Sequence, residues 1–458
     1  MPRLFRRFEP DGRTRVRPKP KRRTELGLLV FGAFIIVALY VLASVGTTSK
    51  IPPNLGPFLA IVLGLALAAH IANRVYAPDA SAVLLPIATL LNGMGYVMLA
   101  RLDQHLARLQ AGWTAIGVAA YILTLAIVRR SRDLDRYRYL LLLAAIALML
   151  APLVPHLGRN VRGARLWVYL GPIRGQPVEL AKIALCIFFA SYFIERRELL
   201  SVPTMRVGNR LVLDPRPLAP ILVAWGFTVL VLGAEHDIGF AALIFVLFIA
   251  MLWLTTGRWS YLLFGLVLFA VGALIADRLF TQVHVRVSEW LHPGPTHQIM
   301  AGLYGLGTGG LIGTGLGFGH ISTIPEVKSD YIFAAFGTEM GLLGTTLIVF
   351  AFILLVGAGM RAAQAARSEF AQMVAAGFTV LLGFQAFFIM GGIVRLLPLT
   401  GITLPFMAYG GSSLVANYVL VALLMRISDE GERSIVAEQA TAFRVERSGH
   451  GAVPVAGA

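Results

Sequence analysis

Residues 331–358 read YIFAAFGTEMGLLGTTLIVFAFILLVGA, a run in which Glu339 is the only charged side chain. About 20 mainly apolar residues are enough to cross the hydrocarbon core of a membrane as a helix. Twelve such segments occur, at approximately 26–46, 55–75, 81–100, 110–128, 139–155, 177–195, 218–234, 239–256, 260–277, 331–358, 371–394 and 411–427. The sequence therefore predicts an all-α polytopic membrane protein with about twelve transmembrane helices.

The composition excludes most other classes of protein. Hydrophobic residues make up 57% of the 458 residues and charged residues 14%, against roughly 45–50% and 25% in soluble domains. So few charges cannot cover a soluble fold of this size, which excludes cytosolic enzymes, disordered chains and fibrous proteins. The single cysteine, Cys186, excludes an intramolecular disulfide.

The distribution of charge predicts the orientation in the membrane. The chain has a formal net charge of +16, and ten Lys or Arg occur among residues 1–24. This proline-interrupted tail is typical of an anchor on anionic lipid, so we expect membrane lipids and not nucleic acid as its partner. Other basic clusters fall in loops that twelve spans place inside, so both termini are predicted to be cytoplasmic. The predicted organisation is a basic cytoplasmic tail at 1–25, N-terminal transmembrane helices at 26–155, a core at 156–428 with outer loops 156–176 and 278–330, and a cytoplasmic tail at 429–458.

One predicted outer loop breaks this charge rule. Residues 156–176 read HLGRNVRGARLWVYLGPIRGQ and contain Arg159, Arg162, Arg165 and Arg174 without a carboxylate. Converging guanidinium groups bind phosphate through paired N–H donors, so these arginines are predicted to bind an anionic ligand. Contact with anionic lipid headgroups, or capping of backbone carbonyls, is the alternative interpretation.

The other unusual outer loop, 278–330, is rich in glycine. Nine of the eighteen residues from Gly302 to Gly319 are glycine, and they alternate with apolar residues. This pattern indicates backbone packed closely at the membrane surface. The run matches G-x-G-x-x-G, but no strand precedes it and no acidic ribose partner follows, which argues against a dinucleotide site.

Charged side chains inside or beside the spans are candidates for function, because they are costly in a membrane. Glu179 and Lys182 are three residues apart on one helical face and form either an internal ion pair or a substrate contact. Asp237 lies between two apolar runs and is a helix cap, a proton acceptor or a metal ligand. Asp330 precedes the next span and is able to cap it, whereas Glu339 lies deeper and requires a partner.

Ser412 and Ser413 open the last span, where serine caps a helix and glycine permits close packing. No Ser-His-Asp arrangement accompanies them, which argues against a serine hydrolase. His292 and His297 lie in a loop without cysteine, so no metal site is predicted there.

Four motifs resemble the SEDS family (shape, elongation, division and sporulation), the group of FtsW, RodA and SpoVE. The first is Gln176-Pro177-Val178-Glu179 with Lys182, similar to Q-P-x-E-x-x-K, and the second is Glu235-His236-Asp237-Ile238-Gly239, similar to Q-P-D-x-G. The third is Ile324-Pro325 through Ser329-Asp330-Tyr331-Ile332-Phe333-Ala334 with Glu339 and Gly341, similar to I-P…D-F-I-F-A…E-x-G. The fourth and most specific match is Pro398–Phe406 with Tyr409-Gly410-Gly411-Ser412-Ser413-Leu414.

The resemblance covers roughly residues 150–430. It implies a core of ten spans, so that an extra pair precedes residue 150. It also implies a peptidoglycan glycosyltransferase of the bacterial plasma membrane, which polymerises lipid II at the outer face beside a class B penicillin-binding protein. No cofactor is evident, and a divalent cation is a candidate.

The expected chemistry assigns roles to the candidate residues. Sugar transfer needs a carboxylate to deprotonate the attacking hydroxyl, and cations to stabilise the departing pyrophosphate. Asp237, Asp330 and Glu339 are expected to organise the site. The residues expected to contact substrate are Arg159, Arg162, Arg165, Glu179, Lys182, Ser412 and Ser413.

The chain departs from the family in the outer loop that carries the family's catalytic aspartate. Trp290-Leu291-His292-Pro293 is followed at once by Gly294, and no aspartate occurs between Arg278 and Lys328. Glu289 and Glu326 are the candidate substitutes, although neither matches the family's position, and we assign Glu289 as the base. Two alternatives stay open: a catalytically silent SEDS scaffold or regulator, and a transporter (flippase) of lipid-linked precursors. The unusual residues concentrate at the outer rim instead of mid-membrane, which favours surface chemistry over transport.

Overall fold

The structure, a computed structural model, describes residues 22–52, 55–161, 164–170, 173–201, 205–207, 210–212, 237–294 and 298–449, with the single positions 226, 230 and 233. In chain order its helices are α1 (Arg22–Thr48), α2 (Leu55–Tyr76), α3 (Leu84–Leu102), α4 (Gln104–Ile127), α5 (Asp133–Arg136), α6 (Arg138–Leu150), α7 (Val178–Glu195), α8 (Arg197–Ser201), α9 (Ile238–Thr256), α10 (Trp259–Leu279), α11 (Thr281–Leu291), α12 (Gln298–Gly309), α13 (Ile332–Ala365), α14 (Glu369–Ile393) and α15 (Gly411–Gly449).

The predicted fold class, an all-α polytopic membrane protein, is confirmed. Among the described residues, nine helices are long and apolar enough to cross a membrane: α1, α2, α3, α4, α9, α10, α13, α14 and α15. The apolar α6 is shorter, and α7 contains Glu179, Lys182 and Glu195. The predicted span 218–234 lies outside the described residues except for three positions. The count of twelve spans, the sides of the termini and the domain boundaries therefore stay predictions.

The helices surround a core made by α7, α9, α14 and α15. In this core α7 and α14 pack against each other and against both α9 and α15, and α13 and α4 pack against this group. In α7 every residue from Ala181 to Phe193 is buried, whereas α10 exposes most of its apolar residues. Helices satisfy their own backbone polar groups, which is why a chain this apolar spans a membrane as helices. The exposed side chains of α10 then face lipid.

Ion pairs join separate segments of the chain at each of the two ends of the helical bundle. At one end Lys328 pairs with Asp103 at 2.8 Å, and we call it the outer end, after its predicted side of the membrane. At the other end, which we call the inner end, Arg433 pairs with Asp79 at 3.2 Å and Arg197 with Glu369 at 2.9 Å. The basic loops used for the orientation lie at this inner end.

The predicted outer loop 156–176 forms a small sheet. Strands β1 (Gly158–Val161), β2 (Ala164–Leu170) and β3 (Ile173–Gly175) are antiparallel in that order, with Arg159 opposite Trp167 and Tyr169 opposite Arg174. The run Leu166–Leu170 contains a tryptophan, a valine and a tyrosine, which favour a strand. A second hairpin joins β4 (Met205–Val207) and β5 (Arg210–Val212). Sequence analysis predicted neither sheet.

Residues 298–319, the glycine segment, enter the membrane region beside a break in α13. Gly341 has φ 65° and ψ −161°, so the helix is interrupted there. The backbone groups freed by the break bond to the glycine segment: Leu342 N donates to Gly310 O at 2.9 Å, and Gly315 N donates to Glu339 O at 3.1 Å. At about 1.5 Å per helical residue, the break lies roughly 14 Å below the outer end of α13. Irregular backbone is tolerated at this depth because protein, not lipid, satisfies it.

We predict that a side chain at Gly309 separates α12 from α13. A Cβ there would lie 1.9 Å from Gly337 O, whereas a Cβ at Gly307, in the same helix, meets nothing within 4 Å. Gly309→Ala should lower the free energy of unfolding by about 1–3 kcal/mol, the usual cost of overpacking. Gly307→Ala is the matched control. Thermal unfolding of both purified variants checks this, and equal melting temperatures would contradict the packing described.

Candidate functional site

The site gathers around residues 394–410, the loop that joins α14 to α15. Gln176 N, just before α7, donates to Ser412 Oγ at 3.1 Å. Thr403 Oγ1 donates to Ser413 Oγ at 2.8 Å, and Tyr409 N donates to Lys328 O at 3.0 Å. The two predicted serines thus hold the loop and the start of α7 together, and the first, third and fourth sequence motifs meet at the outer end.

A buried ion pair lies directly below this loop. Lys182 Nζ is 2.6 Å from Glu179 Oε2, and both side chains are 0% exposed. Lys182 also donates to Gln385 Oε1 at 2.7 Å, and Gln385 Nε2 donates to Thr403 O at 2.9 Å. Glu179 Oε1 has no hydrogen-bond partner among the described residues. The predicted internal ion pair is therefore present, and it leaves one buried carboxylate oxygen free to accept a hydrogen bond.

Asp237 caps α9 at the same level. Its Oδ1 accepts a hydrogen bond from Phe240 N at 3.1 Å, as the helix-cap interpretation predicted. Burial raises the pKa of Asp237 to about 6, although the Phe240 N–H and the Arg286 guanidinium lower it and the Glu179 carboxylate raises it. Asp237 is therefore electrostatically coupled to both Glu179 and Arg286. Together with Lys182, the ion partner of Glu179, these three side chains form one charged group.

Arg286 belongs to α11, which lies across the outer end. Its Nη1 donates to Thr400 O at 2.8 Å. Gly401 has φ 73°, and a Cβ there would lie 3.3 Å from Arg286 Nη2, so glycine permits both the turn and the approach of the arginine. The other end of α11 is held by Arg395, whose Nε donates to Trp290 O at 2.8 Å. Two arginines therefore fix this helix on the 394–410 loop.

Glu289, the predicted base, lies one turn after Arg286 on α11. Tyr331 is buried at the start of α13, and its hydroxyl has no hydrogen-bond partner among the described residues. The Asp330 and Glu289 carboxylates both act electrostatically on this hydroxyl, so the two carboxylates lie in the same neighbourhood. Glu289 is half-buried and therefore reachable from outside.

Glu339 has a different environment from the other carboxylates. Its Oε1 is 2.5 Å from Arg101 Nε, without the alignment of a hydrogen bond, and its Oε2 accepts from Gly317 N at 3.2 Å. Arg101 Nη2 donates to Gly319 O at 2.6 Å. The partner that Glu339 requires is thus Arg101, and together they hold the glycine segment. A part in substrate chemistry for Glu339 stays a prediction.

The outer arginines are only partly described. Arg159 lies in β1 and Arg165 in β2, and of these two residues only the backbone is described; Arg162 lies outside the described residues. Arg174, in β3, is exposed and lowers the pKa of Tyr409, which burial raises. The sheet therefore lies beside the 394–410 loop, and the anion-binding role of its arginines stays a prediction.

Three functional neighbours were missed by sequence analysis. Gln385 is uncharged and lies in an apolar run, so no charge distinguishes it from its neighbours. Arg286 belongs to the predicted outer loop 278–330, where no helix was predicted. The amphipathic sequence TQVHVRVSEWL is the signal of the helix that orients it. Arg101 ends α3, and its partner lies 238 positions away in the sequence. Among the described residues, no group of three or more His, Cys, Asp or Glu side chains is placed to hold a metal ion. Whether a divalent cation is needed stays a prediction.

Fold and site together define a multi-pass membrane protein with a charged site at one end of its helical bundle. Residues 80–433 match the family model for the FtsW, RodA and SpoVE cell cycle proteins. The chain belongs to this family, as the four motifs indicated. The match begins at residue 80, so α1 and α2 precede it, and it starts earlier than the motifs alone suggested.

Relatives and solved structures agree with this assignment. The chain is 39% identical over 435 residues to the peptidoglycan glycosyltransferase RodA of Mycobacterium tuberculosis, covering 91% of this chain and 93% of that protein. It is 35% identical over 297 residues to a probable peptidoglycan glycosyltransferase FtsW of Geobacter sp., covering 63% of this chain and 77% of that protein. A chain from a peptidoglycan synthase complex that coordinates polymerization and crosslinking is 25% identical, with a TM-score of 0.62 over 76% of this chain and 97% of that chain.

We predict that breaking the ion pair below the loop destabilises the fold. Glu179→Gln leaves the charge of Lys182 buried, and removing one partner of a buried pair costs about 3–5 kcal/mol. The double variant Glu179→Leu/Lys182→Met should recover most of this loss, because neither charge remains. Unfolding of the three proteins in detergent measures the difference. Single and double variants of equal stability would contradict it.

We also predict a pH dependence of stability that originates at Asp237. Its pKa of about 6 in the folded chain exceeds the ordinary value of 3.8, so the neutral form is favoured by folding. This contribution is fully present below pH 3.8 and is lost as the pH rises through 6. Asp237→Asn keeps a capping side chain and removes the titration. Melting temperatures between these pH values should fall in the wild type relative to the variant, and parallel curves would contradict the assignment.

Proposed function

We propose that this chain is a peptidoglycan glycosyltransferase that polymerises lipid II at the outer face of the bacterial plasma membrane. The observation that carries the proposal is the charged group formed by Glu179, Lys182, Asp237 and Arg286 beneath a helix that presents Glu289. The names of the RodA and FtsW relatives support it. A charged group at the outer end, not across the membrane, favours chemistry on a lipid-linked substrate over its transport.

The reaction needs both a base and a group of cations. The hydroxyl of one lipid II molecule attacks the anomeric carbon of another, and the bond from that carbon to the pyrophosphate breaks. The proton of the hydroxyl goes to a carboxylate, and the negative charge goes to the departing pyrophosphate. Donors placed near the leaving group stabilise it as the charge develops.

The proposed roles follow from where the side chains lie. Glu289 is the base, since it is half-buried at the outer end and fixed between Arg286 and Trp290. Within the part of the chain that the structure describes, Arg286 donates one N–H, to Thr400 O, and its other donors are available to a phosphate. Asp330 holds a substrate hydroxyl beside Tyr331. Arg159, Arg162 and Arg165 bind the pyrophosphate from the sheet, and Ser412 and Ser413 shape the loop above Lys182.

A partner and a cation complete the proposal. The chain works with a class B penicillin-binding protein that cross-links the glycan, and the synthase complex with a similar fold supports this. Asp330 and Glu289 are the outer-end carboxylates that would hold a divalent cation, and the cation would supply positive charge to the departing pyrophosphate.

The test is polymerisation of lipid II by the purified chain with its transpeptidase partner. Glu289→Gln should reduce the rate by at least about 100-fold, the lower range for loss of a general base. Arg286→Lys should reduce it by about tenfold or more, because a single ammonium cannot reproduce the guanidinium fork. Asp277→Asn, another outer-end carboxylate outside the charged group, is the matched control and should keep full activity.

The outcomes separate the hypotheses. A wild type that binds lipid II but does not polymerise it would sink the enzyme proposal and leave the scaffold. Movement of lipid II across vesicles by the inactive chain would favour the transporter. Full activity of Glu289→Gln in an active wild-type background would remove only the assignment of the base.

A further inference from the structure

A cavity of about 1160 Å³ lies between the outer halves of α1, α2, α3 and α4. Of the predicted site residues, none lines it. Two of its four walls, α1 and α2, precede residue 80 and lie outside the family match. Half of the cavity wall is therefore formed by helices that lie outside the family match, and α3 and α4 within the match form the other half.

Aromatic side chains connect three of the cavity walls, α1, α2 and α3. The Phe58 ring on α2 stacks on the Tyr96 ring of α3 with centroids 4.9 Å apart. It also contacts the Tyr40 ring of α1 at 4.4 Å, with the two ring planes tilted by 47°. Small residues also face the space, deeper than Phe58 along α2. Gly64 on α2 and Gly112 on α4 line the cavity, and a Cβ on either glycine would meet nothing within 4 Å. These two glycines are not needed for close packing of the helices, and the absence of side chains there enlarges the cavity.

The lining changes from apolar to polar toward the outer end. Ile61, Leu65 and Ala115 line the deeper part, whereas Ser44, Thr48 and Arg108 line the mouth. Ile61 is 46% exposed at the surface of the bundle, so the cavity opens toward the lipid. A space of this size in the outer half of a membrane is filled by hydrocarbon, because its deeper walls offer few groups that bind water.

Arg108 determines the kind of headgroup. The other charged side chains at the mouth have partners: Arg101 pairs with Glu339, and Asp103 pairs with Lys328. Arg108 is exposed and makes no hydrogen bond or ion pair with the described residues. The mouth therefore carries one uncompensated positive charge, which favours a phosphate.

We propose that this cavity binds one phosphate-headed lipid, with its hydrocarbon among Ile61, Gly64 and Ala115 and its phosphate on Arg108. The volume of about 1160 Å³ exceeds the range of about 300–1,000 Å³ usual for ligand sites, which suits a long-chain lipid. A phospholipid and a polyprenyl phosphate share this chemistry. The site is separate from the charged group, so the proposal does not depend on glycosyltransferase activity.

The test measures binding of defined lipids to the purified full-length chain by native mass spectrometry. The probes are phosphatidylglycerol, undecaprenyl phosphate and the uncharged diacylglycerol. Gly64→Leu/Gly112→Leu fills the cavity and should weaken binding of both phosphate-headed lipids by about tenfold or more. Gly272→Leu is the matched control, since Gly272 on α10 also has nothing within 4 Å and lies outside the cavity.

The variant Arg108→Gln tests the headgroup without filling the space. It should weaken both phosphate-headed lipids by about tenfold, the loss expected for one charge-assisted hydrogen bond, and leave diacylglycerol unchanged. Whichever phosphate-headed lipid binds tighter to the wild type is assigned as the occupant. Wild-type affinity in the cavity-filling variant, or an unchanged affinity in Arg108→Gln, overturns the proposal. If the filled variant does not fold, Arg108→Gln alone decides.

Discussion

The outer end of this protein depends on one constraint: backbone polar groups inside a membrane must find partners within the protein. The break in α13 at Gly341 frees such groups, and the glycine segment satisfies them with its own backbone. Only glycine allows these two backbone segments to approach this closely. Arg101 and Glu339 then hold the segment by its carbonyl and amide groups. The break and the segment are therefore one structural unit.

The side chains of the charged group meet the same constraint, because buried charges also need partners within the protein. Each of these buried charges has a partner: Lys182 has Glu179 and Gln385, and Asp237 has the N–H of Phe240 in the first turn of α9. The 394–410 loop supplies the remaining acceptors, Thr400 O to Arg286 and Thr403 O to Gln385. A charge that is costly to bury is held in place by these bonds. The group is therefore preorganised before any substrate arrives.

Much of the architecture was predictable from local patterns. Apolar runs located the described spans, and the last motif identified the family, because both signals lie within a few adjacent residues. The internal pairing of Glu179 with Lys182 also followed from helical spacing. The small sheet of β1, β2 and β3 was not predicted, since its strands are short and a short strand has little alternation of apolar and polar residues. The helix that carries Arg286 and Glu289 was missed because an amphipathic turn at a membrane surface has no long apolar run.

The sequence by itself determined that the chain spans a membrane many times, which family it belongs to and which residues carry charge in unusual places. Those properties depend on composition and on short spacings along one helix. Only the tertiary structure decided that Arg101 pairs with Glu339, that Arg286 reaches Thr400, and that four helices leave a cavity at Arg108. These contacts join segments far apart in the chain, so they depend on how the helices pack, which no local pattern records.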